Sequence, residues 1–560
     1  MNIYKNYNIE IIVKLLKENN IKDLVISPGG THIPLIKMVQ DDSFFNCYSV
    51  VDERSAAYFA IGIYHETNNP VAIICTSSQA TRNYLPGLTE AYYSNVPILA
   101  ITMEKHPRFK YQGYMQQPDQ ISLPKDSVKE SFELPFVSDI NDVYFSRRIA
   151  NEAFLELTRN GLGPVQLCVP MLDFKINDVI PTNELIERYN KNSINKISFK
   201  EKKILIVIGQ HKPFKEDELK AINTFCSKTN TVIYTNHLSN FKNDYSVNAN
   251  LLLSSLNEDE FKKYIPDIII SLGGQTGDYP LYLKLSRTEF DSVEHWIISE
   301  DGKVKDTYDK LTKIFQCTEK EFFESISLNN KSSHSYYNLW KERISSLNYN
   351  CDMPFSNVYI ASYMKNIIPK KSNVQFSILN SLRTWNLFDL DPSITCYSNV
   401  GAFGIDGGMS TLIGQSMISK ELCFMIIGDL AFLYDINSIS NRDIKNNLRI
   451  MIINNNGGIE FKLHGEDSKK ADKYIAAANH YKTAEGWANT CGFIYLSAHN
   501  KDDFIMNCDI FVKRSDKPII FEVFVTDKDE SVAYNSLINC NKKFNTKDKL
   551  KNAIKKIVKK

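Results

Sequence analysis

The run Leu422-Cys423-Phe424-Met425-Ile426-Ile427-Gly428-Asp429-Leu430-Ala431-Phe432 decides the fold of this chain. Its first six residues have the character of a short buried strand, and the strand ends at a glycine and a carboxylate. A second such run, Leu448-Arg449-Ile450-Met451-Ile452-Ile453, ends at Asn454-Asn455-Asn456-Gly457-Gly458. Asp429 and Asn455 then stand at the carboxyl ends of two parallel strands, the edge where open α/β sheets bind ligands. A hard divalent ion such as Mg²⁺ takes oxygen ligands in an octahedron and shares them with substrate phosphates, so Asp429, Asn455 and the Gly457 carbonyl make a suitable half-shell. Small residues there let the backbone approach a diphosphate. Asp and Asn are also ordinary turn and cap residues, so the pair alone leaves both readings open.

Working outward, the same strand and helix alternation recurs along the chain. From Asn8 to about Asp173 the pattern predicts a helix near Ile9–Glu18, a strand Asp23–Ser27, a Pro28-Gly29-Gly30 turn, a helix over Asp52–Thr67 and a buried strand Pro70–Cys75. Such alternation implies a parallel sheet with helices on both faces. A polar, Asn- and Lys-rich stretch, Asn177–Lys203, reads as a linker. A second α/β unit opens at Lys203–Gly209, with strands near Thr231–Tyr234, Asp267–Leu272 and His295–Ser299. Gly273-Gly274 there reads as a strand-to-helix turn or, on weaker grounds, a nucleotide site. The expectation is an α/β chain of three doubly wound parallel-sheet domains, at 1–176, 203–345 and 346–560, with a linker at 177–202.

With 560 residues the chain can bury three cores, and 43% apolar and 23% charged residues fit a globular enzyme. A net charge of +1 argues against a general nucleic-acid binder. The 11 cysteines are scattered without a C-x-x-C pair, so reduced thiols are expected rather than a disulfide framework or zinc site. The N-terminal residues lack the apolar core of a signal peptide and no apolar run is long enough for a membrane span, so a cytoplasmic protein is expected. The Lys-rich end, Lys547–Lys560, reads as a solvated helix.

In the first unit, Asp52-Glu53-Arg54-Ser55-Ala56 begins a helix that Asp52 or Ser55 could cap. It accompanies Ser27-Pro28-Gly29, Cys75-Thr76-Ser77, Gln116 in Gly113-Tyr114-Met115-Gln116, Ser398-Asn399 with Gly404-Ile405-Asp406-Gly407, and Gly428-Asp429-Leu430-Ala431-Phe432. With these motifs in this order, the chain resembles the thiamine-diphosphate-dependent enzymes over essentially its whole length. Within them it is most similar to the MenD type, which joins decarboxylated 2-oxoglutarate to isochorismate.

The resemblance implies a pyrimidine domain, a middle domain and a diphosphate domain. It implies that Glu53 hydrogen-bonds the cofactor's aminopyrimidine ring, that Ile405 wedges between the cofactor's two rings, and that Asp429, Asn455 and Gly457 hold Mg²⁺. Ser381, Gly404, Gly428, Leu430 and Ala431 are implied cofactor contacts, and Gln116, like Glu53, an implied catalytic residue. It also implies active sites shared between chains, hence a homodimer or homotetramer. The expected reaction is decarboxylation of a small 2-oxo acid with transfer of the acyl unit to a carbonyl acceptor. A simple decarboxylase releasing an aldehyde is the alternative, and a non-catalytic cofactor-holding subunit a second.

The chain departs from the MenD pattern where arginines are expected to grip polyanionic substrates. Thr31 replaces one in Ser27-Pro28-Gly29-Gly30-Thr31-His32, Val400 another, and Trp385 a third, with Arg383 nearby; Lys105 or Arg108 keeps the charge of a fourth. After the clamp, Ile459-Glu460-Phe461-Lys462-Leu463-His464 replaces a mostly apolar segment. His32, Glu460 and His464 are therefore candidates for substrate contact or proton transfer, each with a structural role as the alternative.

Overall fold

The protein is described by a computed structural model covering residues 7–171, 186–191, 194, 199, 202–286, 292–326, 333–463 and 480–542. Three parallel sheets organise it. The first contains β1 (Asp23–Ile26), β2 (Asn46–Ser49), β3 (Val71–Cys75), β4 (Ile98–Lys105), β5 (Ser131–Glu133) and β6 (Val165–Met171), in the order β2-β1-β3-β4-β6-β5. Alternate residues of one strand feed two separate cores. Leu24, Ile26, Ala72 and Ile74 pack on one face, and Val25, Val71, Ile73 and Cys75 on the other. That two-sided burial is why these strands read as continuous apolar runs rather than alternating ones.

The second sheet contains β7 (Glu187–Asn190), β8 (Lys203–Ile208), β9 (Asn230–Thr235), β10 (Ser246–Asn248), β11 (Ile268–Leu272), β12 (Glu294–Ile298) and β13 (Leu311–Gln316), in the order β10-β9-β8-β11-β12-β13-β7. β7 lies inside the stretch expected to be a linker. It is a polar edge strand whose pairing to β13 is set by the backbone and leaves no apolar pattern to read. The strand order reverses between β8 and β11, the place where such sheets hold nucleotides. Here the two loops close on each other: Gln210 N–H donates to Gln275 O at 3.0 Å and Gly274 N–H to Gln210 O at 2.9 Å. A Cβ on Gly209 would stand 1.7 Å from the Gly274 carbonyl oxygen, so this glycine is required by backbone contact. The turn reading of Gly273-Gly274 is the one this packing favours.

The third sheet contains β14 (Asn373–Phe376), β15 (Thr395–Ser398), β16 (Cys423–Gly428), β17 (Leu448–Asn454), β18 (Ile494–Ala498) and β19 (Ile519–Phe524), in the order β15-β14-β16-β17-β19-β18. The register pairs Gly428 with Ile453, which brings the ends of β16 and β17 level. The chain therefore has three parallel-sheet α/β domains. By compactness it divides into two units, one holding 1–178, 375–380 and 398–527, the other 179–374, 381–397 and 528–560. Residues 346–374 and 528–542 thus group with the middle sheet, although the sequence placed them in the third domain. Their helices explain it: Arg343 donates to Asn541 O at 2.5 Å and Asn357 N–H to Glu530 at 3.3 Å.

All eleven cysteines are free thiols. Among the described residues, no helix is long and apolar enough to cross a membrane.

Candidate active site

Asp429 is the first residue of a short helix, Asp429–Tyr434, that starts directly from the end of β16. Its carboxylate is 4% exposed and accepts the Gly457 N–H at 2.8 Å. That bond needs a sharp backbone turn after β17, and Gly457 adopts φ +131° to make it, a conformation that side-chain-bearing residues avoid. Burial pushes the Asp429 carboxyl up to about 7, offset in part by the backbone N–H groups of Gly457 and Leu430. Asn455 is also buried, and its Oδ1 has no hydrogen-bond partner among the described residues. A buried acceptor left open costs free energy unless something charged fills the place. The Gly457 carbonyl accepts Ile459 N–H at 3.0 Å and keeps a second lone pair. A carboxylate, an unpartnered amide oxygen and a carbonyl are a donor set suited to a hard cation carrying phosphate, so these residues fit Mg²⁺ and a diphosphate.

The neighbouring asparagines are structural. Asn454 donates to Glu522 at 2.8 Å, and Glu522, fully enclosed in β19, also accepts from Ala484 N–H, Thr483 and Tyr495 at 2.7–3.1 Å. This carboxylate braces the loop after β17. Its only sequence signal is an acid inside the apolar run Ile519-Ile520-Phe521-Glu522-Val523-Phe524.

Glu53 begins the helix Glu53–Thr67, capped by Asp52, whose side chain accepts from Arg54 N–H at 2.8 Å and Ser55 N–H at 3.4 Å. The Glu53 side chain is 5% exposed, and burial raises its carboxyl to about 7. Tyr434, at the far end of the Asp429 helix, donates its hydroxyl to Glu53 Oε2, and Asn83 Nδ2 donates to Tyr434 at 2.7 Å. Sequence reasoning missed both. Tyr434 has the look of a helix-end aromatic, and Asn83 that of a turn residue.

The loop after β1 packs on the loop after β3. A Cβ on Gly29 would meet Thr76 Cβ at 2.1 Å. Thr31, in place of an expected arginine, contacts Thr76 Oγ1 at 2.8 Å and accepts the Ser77 N–H at 3.0 Å. Ser78 adopts φ +92°, and its hydroxyl donates to Ala402 O in the segment leading to Ile405. Ile405 is half-buried against the core of the third sheet, and a Cβ on Gly404 would meet the Asp406 carboxylate and Gln79 Cβ, so the Asp406 side chain would have to move.

His32 is wholly enclosed, neither ring nitrogen has a well-aligned partner among the described residues, and burial lowers it to about 4 against the opposing Ser27 backbone, so the ring is neutral at pH 7. Gln116 is half-buried at φ +60°. Beside it Gln117 donates to Glu104 and to the Lys105 carbonyl, each at 3.2 Å. Lys105 is 3% exposed, with its ammonium 4.8 Å from the Tyr114 ring, while Arg108 lies on Phe109. Val400 is 1% exposed. Glu460 opens a four-residue helix, partly buried; His464 lies outside the described residues, as does Lys547–Lys560. In the second unit Ser381 is buried in the helix Asn380–Trp385. Trp385 there donates to Asn357 at 3.1 Å, and Arg383 is enclosed over the Tyr279 ring at 3.9 Å.

Residues 9–123 match the N-terminal TPP-binding domain of thiamine pyrophosphate enzymes. The 2-succinyl-5-enolpyruvyl-6-hydroxy-3-cyclohexene-1-carboxylate synthase of Phocaeicola vulgatus is 31% identical, covering 93% of this chain and 96% of its own. The chain belongs to the MenD family of thiamine-diphosphate enzymes. MenD-family synthases of Bacteroides thetaiotaomicron, 29% identical over 92% and 95% of the two chains, and Desulfotalea psychrophila, 28% identical over 90% and 96%, are similar along the same length. The three sheets are those of a thiamine-diphosphate enzyme, and the MenD-like chain is an enzyme using that cofactor.

Proposed function

We propose that this MenD-family enzyme, with thiamine diphosphate and Mg²⁺, decarboxylates a small 2-oxo acid and transfers the acyl unit to a carbonyl acceptor, in a reaction other than that of its named relatives. The observation that carries the reading is the state of the positions where the family's arginines are expected. The Thr31 hydroxyl is committed to Thr76 and Ser77, Val400 is enclosed, and Trp385 is bonded to Asn357. Three guanidinium forks are absent, each charge-assisted bond being worth roughly 1.5–3 kcal/mol, so substrates with several carboxylates lose their anchors.

Asp429, Asn455 and Gly457 would hold the cation, and Gly428, Leu430, Ala431, Gly404, Ile405 and Ser381 are the proposed cofactor contacts. When bound, thiamine diphosphate supplies a carbon centre that stores the electron pair left by CO₂. Glu53, its carboxyl group buried and raised to about 7, would hydrogen-bond the aminopyrimidine ring of the bound cofactor and hold or give up a proton there. Gln116, Lys105, Glu460, His464 and the neutral His32 are the proposed substrate-side groups. A homodimer or homotetramer in the cytoplasm is part of the same reading, and mass in solution checks the assembly.

The test is purified enzyme with cofactor and Mg²⁺ against a panel of 2-oxo acids. CO₂ release that requires an aldehyde or ketone supports ligation. Release without acceptor indicates the simple decarboxylase, and no release from any acid with cofactor bound leaves only the cofactor-holding subunit.

A further inference from the structure

Gln116 and Gln117 stand side by side, yet only the second is tied down. The Gln117 side chain is 6% exposed and donates to the end of β4, once to Glu104 Oε1 and once to the Lys105 carbonyl, each at 3.2 Å. The Gln116 side chain is half-buried and has no hydrogen-bond partner among the described residues. Between two buried neighbours, Met115 and Gln117, Gln116 adopts φ +60°. A residue carrying a Cβ keeps that left-handed conformation only where its surroundings enforce it.

The enforcement comes from the end of β4. Gln120 donates to the Met103 carbonyl at 2.8 Å, so Met103, Glu104 and Lys105 in turn receive side chains from the returning loop. Glu104 is the centre of this seam and is fully enclosed. Its Oε1 accepts from Gln117 and, at 3.0 Å, from the Lys110 ammonium, while its Oε2 accepts the Cys168 thiol at 3.3 Å. Burial opposes the Glu104 charge and Lys110 favours it. Lys110 also bonds Glu133 of β5 at 3.0 Å. Between these fasteners the Phe109 and Tyr114 rings stack at 4.2 Å, with the Arg108 guanidinium 4.5 Å from the first ring and the Lys105 ammonium 4.8 Å from the second. The stack folds the loop on itself, Lys110 fastens its middle to the strand, and Gln117 fastens its return.

We infer that Glu104, Lys110 and Gln117 are positioning residues that hold the left-handed turn at Gln116 and so present its free amide to the substrate. Bonds to an ionised acceptor are stronger than neutral ones, which suits a fastener that has to offset the strain of the turn. All four groups belong to the domain of the first sheet, so the arrangement is the same whichever chain completes the site. The inference rests on the proposed substrate-side role of Gln116.

The experiment is a double-mutant cycle in the full-length enzyme, read as CO₂ release from the best 2-oxo acid of the panel, together with amide hydrogen exchange of the cofactor-free protein. Gln117→Leu keeps the size of the side chain and removes both donors. It should lower kcat about tenfold with KM within about twofold, because a small misplacement costs rate more than binding. In a Gln116→Ala background the same change should cost less than about twofold, since there is no amide left to place. Residues 113–118 should exchange at least about tenfold faster in Gln117→Leu while the rest of the first unit holds. An equal loss of kcat in both backgrounds overturns the inference, as does unchanged exchange at 113–118. Should Gln117→Leu not fold, Lys110→Met decides in the same way, with Lys110→Arg expected to recover the rate. Full turnover in Gln116→Ala would instead remove Gln116 from the site, a failure of the proposed function that the exchange data separate from a failure of the fastening.

Discussion

Replacing Glu53 by glutamine should abolish turnover and at the same time stabilise the cofactor-free protein above neutral pH. The carboxyl group is 5% exposed and is held at about 7 against a usual value of 4.5. Between those two values the folded state binds a proton that the unfolded chain has lost. Stability therefore falls as pH rises through this window, and the penalty is complete above pH 7. A separation of about 2.5 pH units corresponds to about 3 kcal/mol at roughly 1.4 kcal/mol each. Glutamine keeps the shape and can still accept the Tyr434 hydroxyl, but it never ionises. Relative to the parent, Glu53→Gln should gain about 3 kcal/mol at pH 8 and nothing below about pH 4.5. Urea unfolding of the cofactor-free proteins, followed by signals from the first unit at a series of pH values, measures the difference. A gain independent of pH, or none at pH 8, would refute the claim that Glu53 is a buried acid held protonated for use.

Further expectations concern the clamp and the loops beside it. Asn455→Ala removes an acceptor that has no partner, so cofactor-free stability should hold, whereas Mg²⁺-dependent binding of thiamine diphosphate, read by calorimetry, should weaken at least about tenfold. Gly29→Ala places a Cβ about 2.1 Å from Thr76 Cβ, and thermal unfolding should register a loss of about 1–3 kcal/mol. Thr31→Val leaves the buried Ser77 N–H without its acceptor, which should cost about 1–3 kcal/mol in denaturant unfolding without restoring activity toward polyanionic substrates.

Much of the sheet architecture was legible because a strand covered on both faces must be apolar throughout, as in Leu422–Ile427 and Leu448–Ile453. The polar edge strand Glu187–Asn190 was not, since one side chain of it, Tyr189, packs on the core and the rest of its pairing is made by the backbone. The placing of Asp429 and Asn455 level at the ends of β16 and β17 was readable because two buried apolar runs each end in a polar residue. What this pattern could not reveal was the support behind the reactive groups. Tyr434, Asn83 and Glu522 act through contacts between residues far apart in sequence, and their types are common in helix ends, turns and strands. Domain grouping was also hidden, because residues 528–542 follow the third sheet in sequence yet group with the middle unit.

The central claim is that cofactor chemistry was kept while the substrates were exchanged. The measurement that tests it most directly is the ratio of kcat/KM for small monocarboxylic 2-oxo acids such as pyruvate to that for 2-oxoglutarate, each with carbonyl acceptors and with isochorismate. The account predicts a ratio well above one and no efficient turnover of the 2-oxoglutarate and isochorismate pair. Vigorous turnover of that pair, with pyruvate inert, would contradict it.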